Sequence, residues 1–485
     1  MTIALTLKRI ILAMFLLFTC IISRGQTMDS IGPMMLSEAQ FLAIIRNYHP
    51  YLQQAKLNVD MAKAAVLESR GSFDPILQTS FDRKTFDEKL YYSYFNPEVV
   101  IPTWYGIEIY GGLENILGER TNIERTLGKS SYLGLSIPVA RDLVLDKRRA
   151  ILKQAKAIQQ QTMAEQVNTI NDLLYDALAA YWNWVREYQI YMVIKNAVTL
   201  NTARYRLISI EAQQGSRPSI DTVEALTQLQ QFQFMESESL LKFQNAGLIL
   251  SDYLWVKENE RFTWNIKIIP DTVWLQQKDW EKPIPPLEDI LTRASLEHPK
   301  LKSYLLKNDW LEIEKKLKFQ SLLPKADLKY NLLNSGYNVF NKVDGAFLEN
   351  NYKIGFNFQM PILLRQGRGA YQQTNIKIRQ TELQIDQSRL EIENKLRAYY
   401  NEVFTLSRQI DLYESTYQNY QKLFNGEDLR FRMGESTLFL LNARENKALD
   451  ALQKLLELKT KWYKSYAALT WSEGRLGLTQ TGNNP

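Results

Sequence analysis

The chain has 485 residues, a formal net charge of +6, two histidines and a single cysteine, Cys20. Three basic residues lie within the first 24, and without them 56 basic residues face 53 acidic ones, a charge of +3 (56 − 53). Net charge therefore gives no support to nucleic-acid binding. One cysteine excludes an internal disulfide, so stability must come from packing or oligomerisation.

Residues 1–26 are predicted to form a secretory signal peptide. Lys8 and Arg9 precede an apolar run over residues 10–22, and small residues follow it. Cys20 is a poor lipid-attachment site because the apolar run continues beyond it. No later run approaches the roughly 18 apolar residues of a transmembrane helix, so entry into a membrane would require strands.

The segment after the signal begins with a helix and continues into strands. Ser37 and Gln40 have the spacing of a capping box, which predicts a helix start. His49–Pro50 lies within the helical pattern, which continues to about Arg70. Alternating apolar residues at 77–81, 105–109 and 133–137 then predict β-strands bounded by glycine and proline.

A very long helix is predicted over residues 146–212. Two series of apolar residues recur every seven positions, which is typical of a coiled-coil-like seam. At 1.5 Å per residue the helix would be about 100 Å long. Gly215 is expected to end it and Pro218 to start a return helix that runs to about Trp255.

The second half repeats this order after a connector at residues 256–286. A helix surrounds His298–Pro299, strands occupy about 324–334 and 350–361, and a long helix leads to Gly434. A return helix follows to about Trp471. We therefore divide the mature chain into a first structural repeat, the connector, a second repeat and a polar tail, over residues 27–255, 256–286, 287–474 and 475–485.

Two fixed offsets indicate that the halves are copies of one unit. The His–Pro pairs lie 249 residues apart (298 − 49), and Gly215 and Gly434 lie 219 apart (434 − 215). The difference puts 30 extra residues (249 − 219) in the first half, mostly in its strand region. Aromatic residues concentrate there and indicate either a membrane-interface belt or ordinary strand packing. They are Tyr91, Tyr92, Tyr94, Phe95, Trp104 and Tyr105.

The predicted elements form a mainly α fold with a transmembrane β-barrel portion. Each half offers one strand hairpin, or four strands per chain, and four strands cannot close a barrel. An open edge in lipid leaves backbone groups unpaired, at several kcal/mol each. The long helices likewise need neighbours along their length. Several chains sharing one cylinder would satisfy both demands.

The order of the predicted elements, the two halves and three sequence segments resemble the TolC-type outer-membrane efflux family. The three segments are residues 430–444 (RFRMGESTLFLLNAR), 215–221 (GSRPSID) and 133–138 (LGLSIP). The resemblance implies a homotrimer whose chains each give four strands to a twelve-stranded barrel in outer-membrane lipid. It also implies a helical cylinder across the periplasm, a periplasmic adaptor protein and an inner-membrane pump.

The resemblance also suggests a gate at the hairpin tips. Acidic residues can occur six and nine positions after the tip glycines; here these positions are Asp221 and Glu224 in the first half, but Leu440 and Ala443 in the second. A ring of carboxylates would favour cations in a narrow pore. The alternative is that Asp221 only complements the positive end of a helix.

Two roles are possible for Arg217. It could pair with a carboxylate and so hold neighbouring hairpins closed. Alternatively, it is an exposed arginine at the tip that contributes little to stability. In the family, adaptor proteins would dock beside the tips. The corresponding residues here are Gly215, Pro218, Gly434, Glu435 and Ser436.

The sequence favours an export duct over two other classes. No catalytic, cofactor or metal motif is present, and His49 and His298 are expected to have structural roles beside helix-starting prolines. An exported hydrolase is therefore unsupported. The remaining alternative is a periplasmic coiled-coil tether or adaptor without a pore, which would leave the duplicated strands without a role.

Overall fold

A computed structural model describes residues 34–119, 126–257, 260, 262–337 and 351–477. The predicted signal peptide, residues 1–26, and most of the predicted tail lie outside the described residues. The strands are β1 (Met34–Leu36), β2 (Ile76–Phe86), β3 (Lys89–Pro102), β4 (Glu108–Leu117), β5 (Gly128–Pro138), β6 (Ile268–Pro270), β7 (Lys325–Ser335) and β8 (Tyr352–Gln359). The helices are α1 (Glu38–Tyr48), α2 (Pro50–Gly71), α3 (Lys147–Gln213), α4 (Ser219–Ser251), α5 (Leu287–Glu297), α6 (Pro299–Gln320), α7 (Arg365–Arg432) and α8 (Leu438–Ser472).

The predicted long helices are present. Helices α3 and α7 have 67 and 68 residues, which corresponds to about 100 Å each. Helix α4 packs back along α3, and α8 along α7, so each pair is an antiparallel hairpin. In the described part of the chain, none of the helices combines the length and the apolar character needed to cross a membrane.

The predicted capping box begins α1. Gln40 N–H donates to Ser37 Oγ at 3.3 Å, and Ser37 N–H donates to Gln40 Oε1 at 3.1 Å. These bonds satisfy two of the backbone donors that a helix start leaves unpaired. The local sequence alone therefore fixes where this helix begins.

Both histidines cap helices. His49 Nδ1 accepts from Tyr51 N–H, and His298 Nδ1 accepts from Lys300 N–H, each at 3.2 Å. Each imidazole thus stands where a serine or aspartate usually caps a helix, just before a proline at the first helical position. Among the described residues, no group of three or more His, Cys, Asp or Glu side chains could hold a metal ion.

The acid stability of the protein is expected to depend on His298. Burial lowers the pKa of this imidazole from 6.5 to about 4, with help from Lys300 and Lys395. The unfolded chain takes up a proton near pH 6.5 while the folded chain does not, so stability falls as pH drops from about 6.5 towards 4. The loss is about 2 kcal/mol at pH 5.

His298→Asn keeps a helix-capping acceptor but does not titrate. We expect the melting temperature in detergent to fall less between pH 7 and pH 5 for this variant than for the parent. His49→Asn is the comparison variant: burial also lowers the pKa of His49, but this side chain is less buried than His298, so a smaller difference from the parent is expected. Equal falls for the parent and His298→Asn would contradict this prediction.

One antiparallel sheet contains six strands in the order β2-β3-β4-β5-β7-β8. The predicted mainly α fold with a strand portion is confirmed, but the count of four strands per chain is wrong. The first half contributes four strands because residues 89–117 form a second hairpin, β3–β4, between β2 and β5. The 30 extra residues expected in the strand region of the first half therefore correspond to an additional strand pair.

The connector joins both halves near the middle of the helices. Strand β6 within it pairs in parallel with β1, so that Met35 lies opposite Ile269. The largest apolar core lies beside this pair and combines residues of α1, α3, α4, the connector, α7 and α8. At its centre the rings of Trp182 and Tyr463 stack at 4.0 Å and thereby tie α3 to α8.

Candidate functional site

The two hairpin tips have the same backbone geometry. Gly215 and Gly434 have φ of +74° and +77°, in the left-handed region that favours glycine. Beyond them, Ser216 N–H donates to the Glu211 carbonyl at 3.0 Å, and Glu435 N–H donates to the Arg430 carbonyl at 2.9 Å. Both are Schellman-type helix ends, which accounts for the glycines without any ligand.

Arg217 connects the first tip to the second within one chain. Its guanidinium pairs with Glu211 at 2.5 Å and lies 3.7 Å from Asp221, both in the same hairpin. It also lies over the ring of Phe431, 4.3 Å from its centre, at the end of α7. Charge and ring contacts together hold this side chain against the neighbouring hairpin.

A small apolar cluster, here called the tip core, packs beneath Arg217. It unites one residue of each of α3 and α7, one of α4 and two of α8. These residues are Ile208, Phe431, Ala225, Leu438 and Leu441. Because all four helices contribute, the two hairpins of a chain form one unit near the tips.

Above the tip core, a polar ladder crosses between the hairpins. Arg204 Nη1 of α3 donates to Glu445 Oε2 of α8 at 2.6 Å, and the two side chains are only 12% and 5% exposed. Asn442 Nδ2 donates to Glu224 Oε1 at 3.3 Å, and Gln228 Nε2 donates to Asn446 Oδ1 at 2.9 Å. Buried charge pairs of this kind fix geometry, since either partner alone would be strongly disfavoured.

Glu224 thus forms part of the polar ladder. The other main residues of the ladder were not identified from the sequence. Glu445, Arg204 and Asn442 have no equivalents at the offset of 219 residues that located the tips. The sequence signal available for Glu445 was its place on the inner face of α8, four residues after Leu441.

The second tip has its own charged cluster around Glu427. Ser436 Oγ donates to Glu427 Oε1 at 2.5 Å, and Arg430 and Arg444 lie 3.9 and 3.8 Å from the same carboxylate. This places Ser436 in the hairpin turn, while the neighbouring Glu435 is exposed. Leu440 and Ala443, which stand where the first half has carboxylates, are exposed as well.

The tips also carry an apolar surface in the single chain. Large apolar side chains on both hairpins are exposed there, namely Ile220, Val223, Met433, Phe439 and Leu440. Pro218 lies among them as the residue that caps α4. Such a concentration on a protein end is typical of contact surfaces.

At the other end of the helices, strand residues and the adjoining helix ends line an open polar cavity of about 790 Å³. Glu108, Ser136, Asp327 and Lys329 line it from three strands, and Arg148 reaches it from α3. Arg148 pairs with Glu108 across the cavity wall. One face of the sheet is therefore wet and charged.

Residues 322–475 match the family model described as Outer membrane efflux protein. This match begins just after α6 and covers β7, β8 and the second helix hairpin, α7–α8. No curated protein matches the chain.

Solved channels share the fold over nearly the whole chain. The Campylobacter jejuni CmeC outer membrane channel has 16% identity and a TM-score of 0.62, covering 90% of this chain and 85% of that one. The Vibrio cholerae outer membrane protein VceC has 12% identity and a TM-score of 0.61, covering 90% and 96%. The open-state Neisseria gonorrhoeae MtrE channel has 10% identity and a TM-score of 0.59, covering 93% and 94%.

Proposed function

We propose that this chain, which carries an outer membrane efflux protein domain over residues 322–475, is the outer-membrane channel of a tripartite efflux or type I secretion system. That domain confirms the family resemblance found in the sequence. Proteins of this family are passive outer-membrane channels that work with a periplasmic adaptor and an inner-membrane pump. The chain itself would make and break no bonds.

The observation that carries this proposal is that a sheet with one apolar and one polar face continues into helices about 100 Å long. One sheet face is apolar, and the other lines the charged cavity. A membrane wall with a polar lumen needs this arrangement. The helices that continue from β5 and β8 would extend the lumen through the periplasm to the tips.

The functional assembly would be a homotrimer. In the residues that the structure describes, both edge strands of a single chain's sheet are paired on one side only, and unpaired backbone groups in lipid cost several kcal/mol each. Its long helices also expose many apolar side chains away from the chain's own core, such as Leu200, Phe234, Leu390 and Leu412. Neighbouring copies would cover both.

The hairpin tips would form the periplasmic gate. In this proposal Asp221 and Glu224 contribute carboxylates to the entrance, and Arg217 stabilises the closed tip. The exposed tip surface around Gly215, Pro218, Gly434, Glu435 and Ser436 would receive the adaptor. The support is the joining of both hairpins into one unit by the tip core and by the Arg204–Glu445 pair.

Conductance in planar lipid bilayers tests the channel and its gate. We expect cation-preferring single-channel currents, and a reduced preference in Asp221→Asn, because that variant removes three carboxylates from a trimer's entrance. Asp450→Asn, at an exposed position on α8, is the matched control and should leave the preference unchanged. Protein that fractionates as soluble and conducts no current would contradict the proposal and favour a periplasmic tether.

A further inference from the structure

Among the described residues, the first half of the chain contains a strand pair without a counterpart in the second half. Strands β2 and β7 each follow a 22-residue helix, and β5 and β8 each precede a long helix, so these four strands correspond. Strands β3 and β4 have no counterpart among the described residues.

The extra hairpin lies inside the sheet. Strand β3 is hydrogen-bonded to β2 on one side and to β4 on the other, and β4 continues the ladder into β5. Removing it would separate β2 from the rest of the sheet. The hairpin is therefore part of the wall and not a loop laid over it.

The extra strands β3 and β4 also preserve the separation of the sheet into an apolar face and a polar face. One row of facing residues crosses all six strands on the apolar side, namely Leu77, Val99, Gly111, Leu133, Leu332 and Tyr352. The next row along β3 to β8 contains Val100, Tyr110, Gly134, Asn331 and Lys353 and belongs to the polar side. A register error of one residue would have reversed these faces.

Both extra strands are long enough to cross a bilayer. A tilted transmembrane strand needs about 9–11 residues. Strand β3 has 14 residues and β4 has 10. On the polar side, Tyr132 Oη of β5 donates to Glu98 Oε2 of β3 at 2.5 Å, and Tyr94 Oη of β3 donates to Glu114 Oε1 of β4 at 3.3 Å. These hydrogen bonds connect the extra strands to each other and to β5 on the polar side of the sheet.

Within the described part of the chain, the outer strands β2 and β8 are each hydrogen-bonded to a strand on one side only. Apolar side chains of β2 are 76% (Leu77) and 64% (Phe81) exposed, whereas Leu133 and Leu135 on the inner strand β5 are 44% and 39% exposed. The sheet has an even number of alternating strands, so β8 of one copy and β2 of the next run antiparallel when they meet. Closure is therefore possible without reversing any strand.

We propose that β2 of each copy pairs with β8 of the next, and that three copies close a barrel of eighteen strands. This rests on the trimeric channel proposed above, and it replaces the twelve strands that the family resemblance implies. Barrel diameter grows roughly linearly with strand number, so this barrel is about 1.5 times as wide as one of twelve strands. Barrels of 16–18 strands leave an open aqueous channel.

The first experiment asks whether β3 faces lipid. The only cysteine, Cys20, lies in the predicted signal peptide, so single-cysteine variants can be made directly. Val99→Cys on β3 and Leu133→Cys on β5 lie two strands apart in one row on the apolar face, while Lys353→Cys lies on the polar face. Each carries an environment-sensitive dye in liposomes that contain spin-labelled lipids.

We expect the dyes at positions 99 and 133 both to be quenched several-fold more than the dye at position 353. Quenching at 133 with none at 99 would overturn the eighteen-strand wall while leaving the proposed channel intact. Absence of quenching at both positions would instead reject the proposed membrane channel, and the barrel with it.

The second experiment tests closure between copies. Gln78→Cys on β2 and Asn357→Cys on β8 place one thiol on each edge strand, on the polar face and near the helical end of the sheet. A short bismaleimide should yield covalent dimers and trimers from the double variant and almost none from either single variant. Monomers alone from the double variant would overturn the β2–β8 contact.

Discussion

Replacing Glu445 with glutamine is expected to open the hairpin tips and to raise the mean conductance at least several-fold. The change removes the charge that Arg204 faces at 2.6 Å between α3 and α8, in a site where both side chains are nearly buried. Removing one partner of such a pair costs about 3–5 kcal/mol, because the other charge is left uncompensated. The two hairpins of each chain should then separate near their ends. Current through planar bilayers measures the effect.

Two controls separate this mechanism from general damage. The double variant Arg204→Met/Glu445→Leu removes both charges and keeps apolar volume, so it should conduct close to the parent level. Glu457→Gln breaks an exposed pair with Lys454 on the same helix and should change nothing measurable. An unchanged conductance in Glu445→Gln, with the protein correctly folded, would show that this pair does not hold the tips.

Arginine at Phe356 is expected to abolish most membrane assembly. Phe356 lies on the apolar face of β8 opposite Leu328, and it is 61% exposed in the single chain. An arginine on the lipid face near the bilayer centre costs about 2–4 kcal/mol, and a trimer would contain three. We expect a loss of most trimer from the outer-membrane fraction, measured by gel mobility without heating.

Asn357→Arg is the matched control for this second prediction. Asn357 neighbours Phe356 but lies on the polar face, where a charged side chain would meet water. Normal trimer yield is therefore expected. Equal yields from the two arginine variants would mean that the faces of the sheet do not separate lipid from water.

Helix ends and helix lengths were predictable because local chemistry determines them. Gly215 and Gly434 end helices as expected, and His49 and His298 precede the prolines that begin α2 and α6. The sevenfold apolar repeat likewise extends over α3 and α7 almost without interruption. These features depend on neighbours a few residues away.

Strand number was less predictable because alternation within one strand is a weak signal. In β3, Pro97 cannot donate to the ladder, and Val99, Val100 and Ile101 are consecutive apolar residues. In β4 the pair Gly111–Gly112 has no side chains to show a pattern. The two faces become clear only when the register across the sheet is known.

At the hairpin tips, too, residues close to the tip glycine in sequence were predictable, whereas contacts between distant helices were not. Asp221 and Arg217 could be identified by their distance from Gly215, and the structure brings them within 3.7 Å. The contact of Glu445 with Arg204 depends instead on how α8 is rotated against α3. That rotation is set by packing along the whole length of both helices.

The parallel pairing of β1 with β6 has a consequence for biosynthesis. Residues 34–36 meet partners at 268–270, so an exported chain that emerges from its N-terminus cannot complete this contact until more than half of it has left the translocon. Loop closure over such a distance makes it a late and slow event. A chain that terminates before Ile268 therefore leaves residues 34–36 unpaired. We expect periplasmic proteases to cleave such a chain at this exposed N-terminal segment.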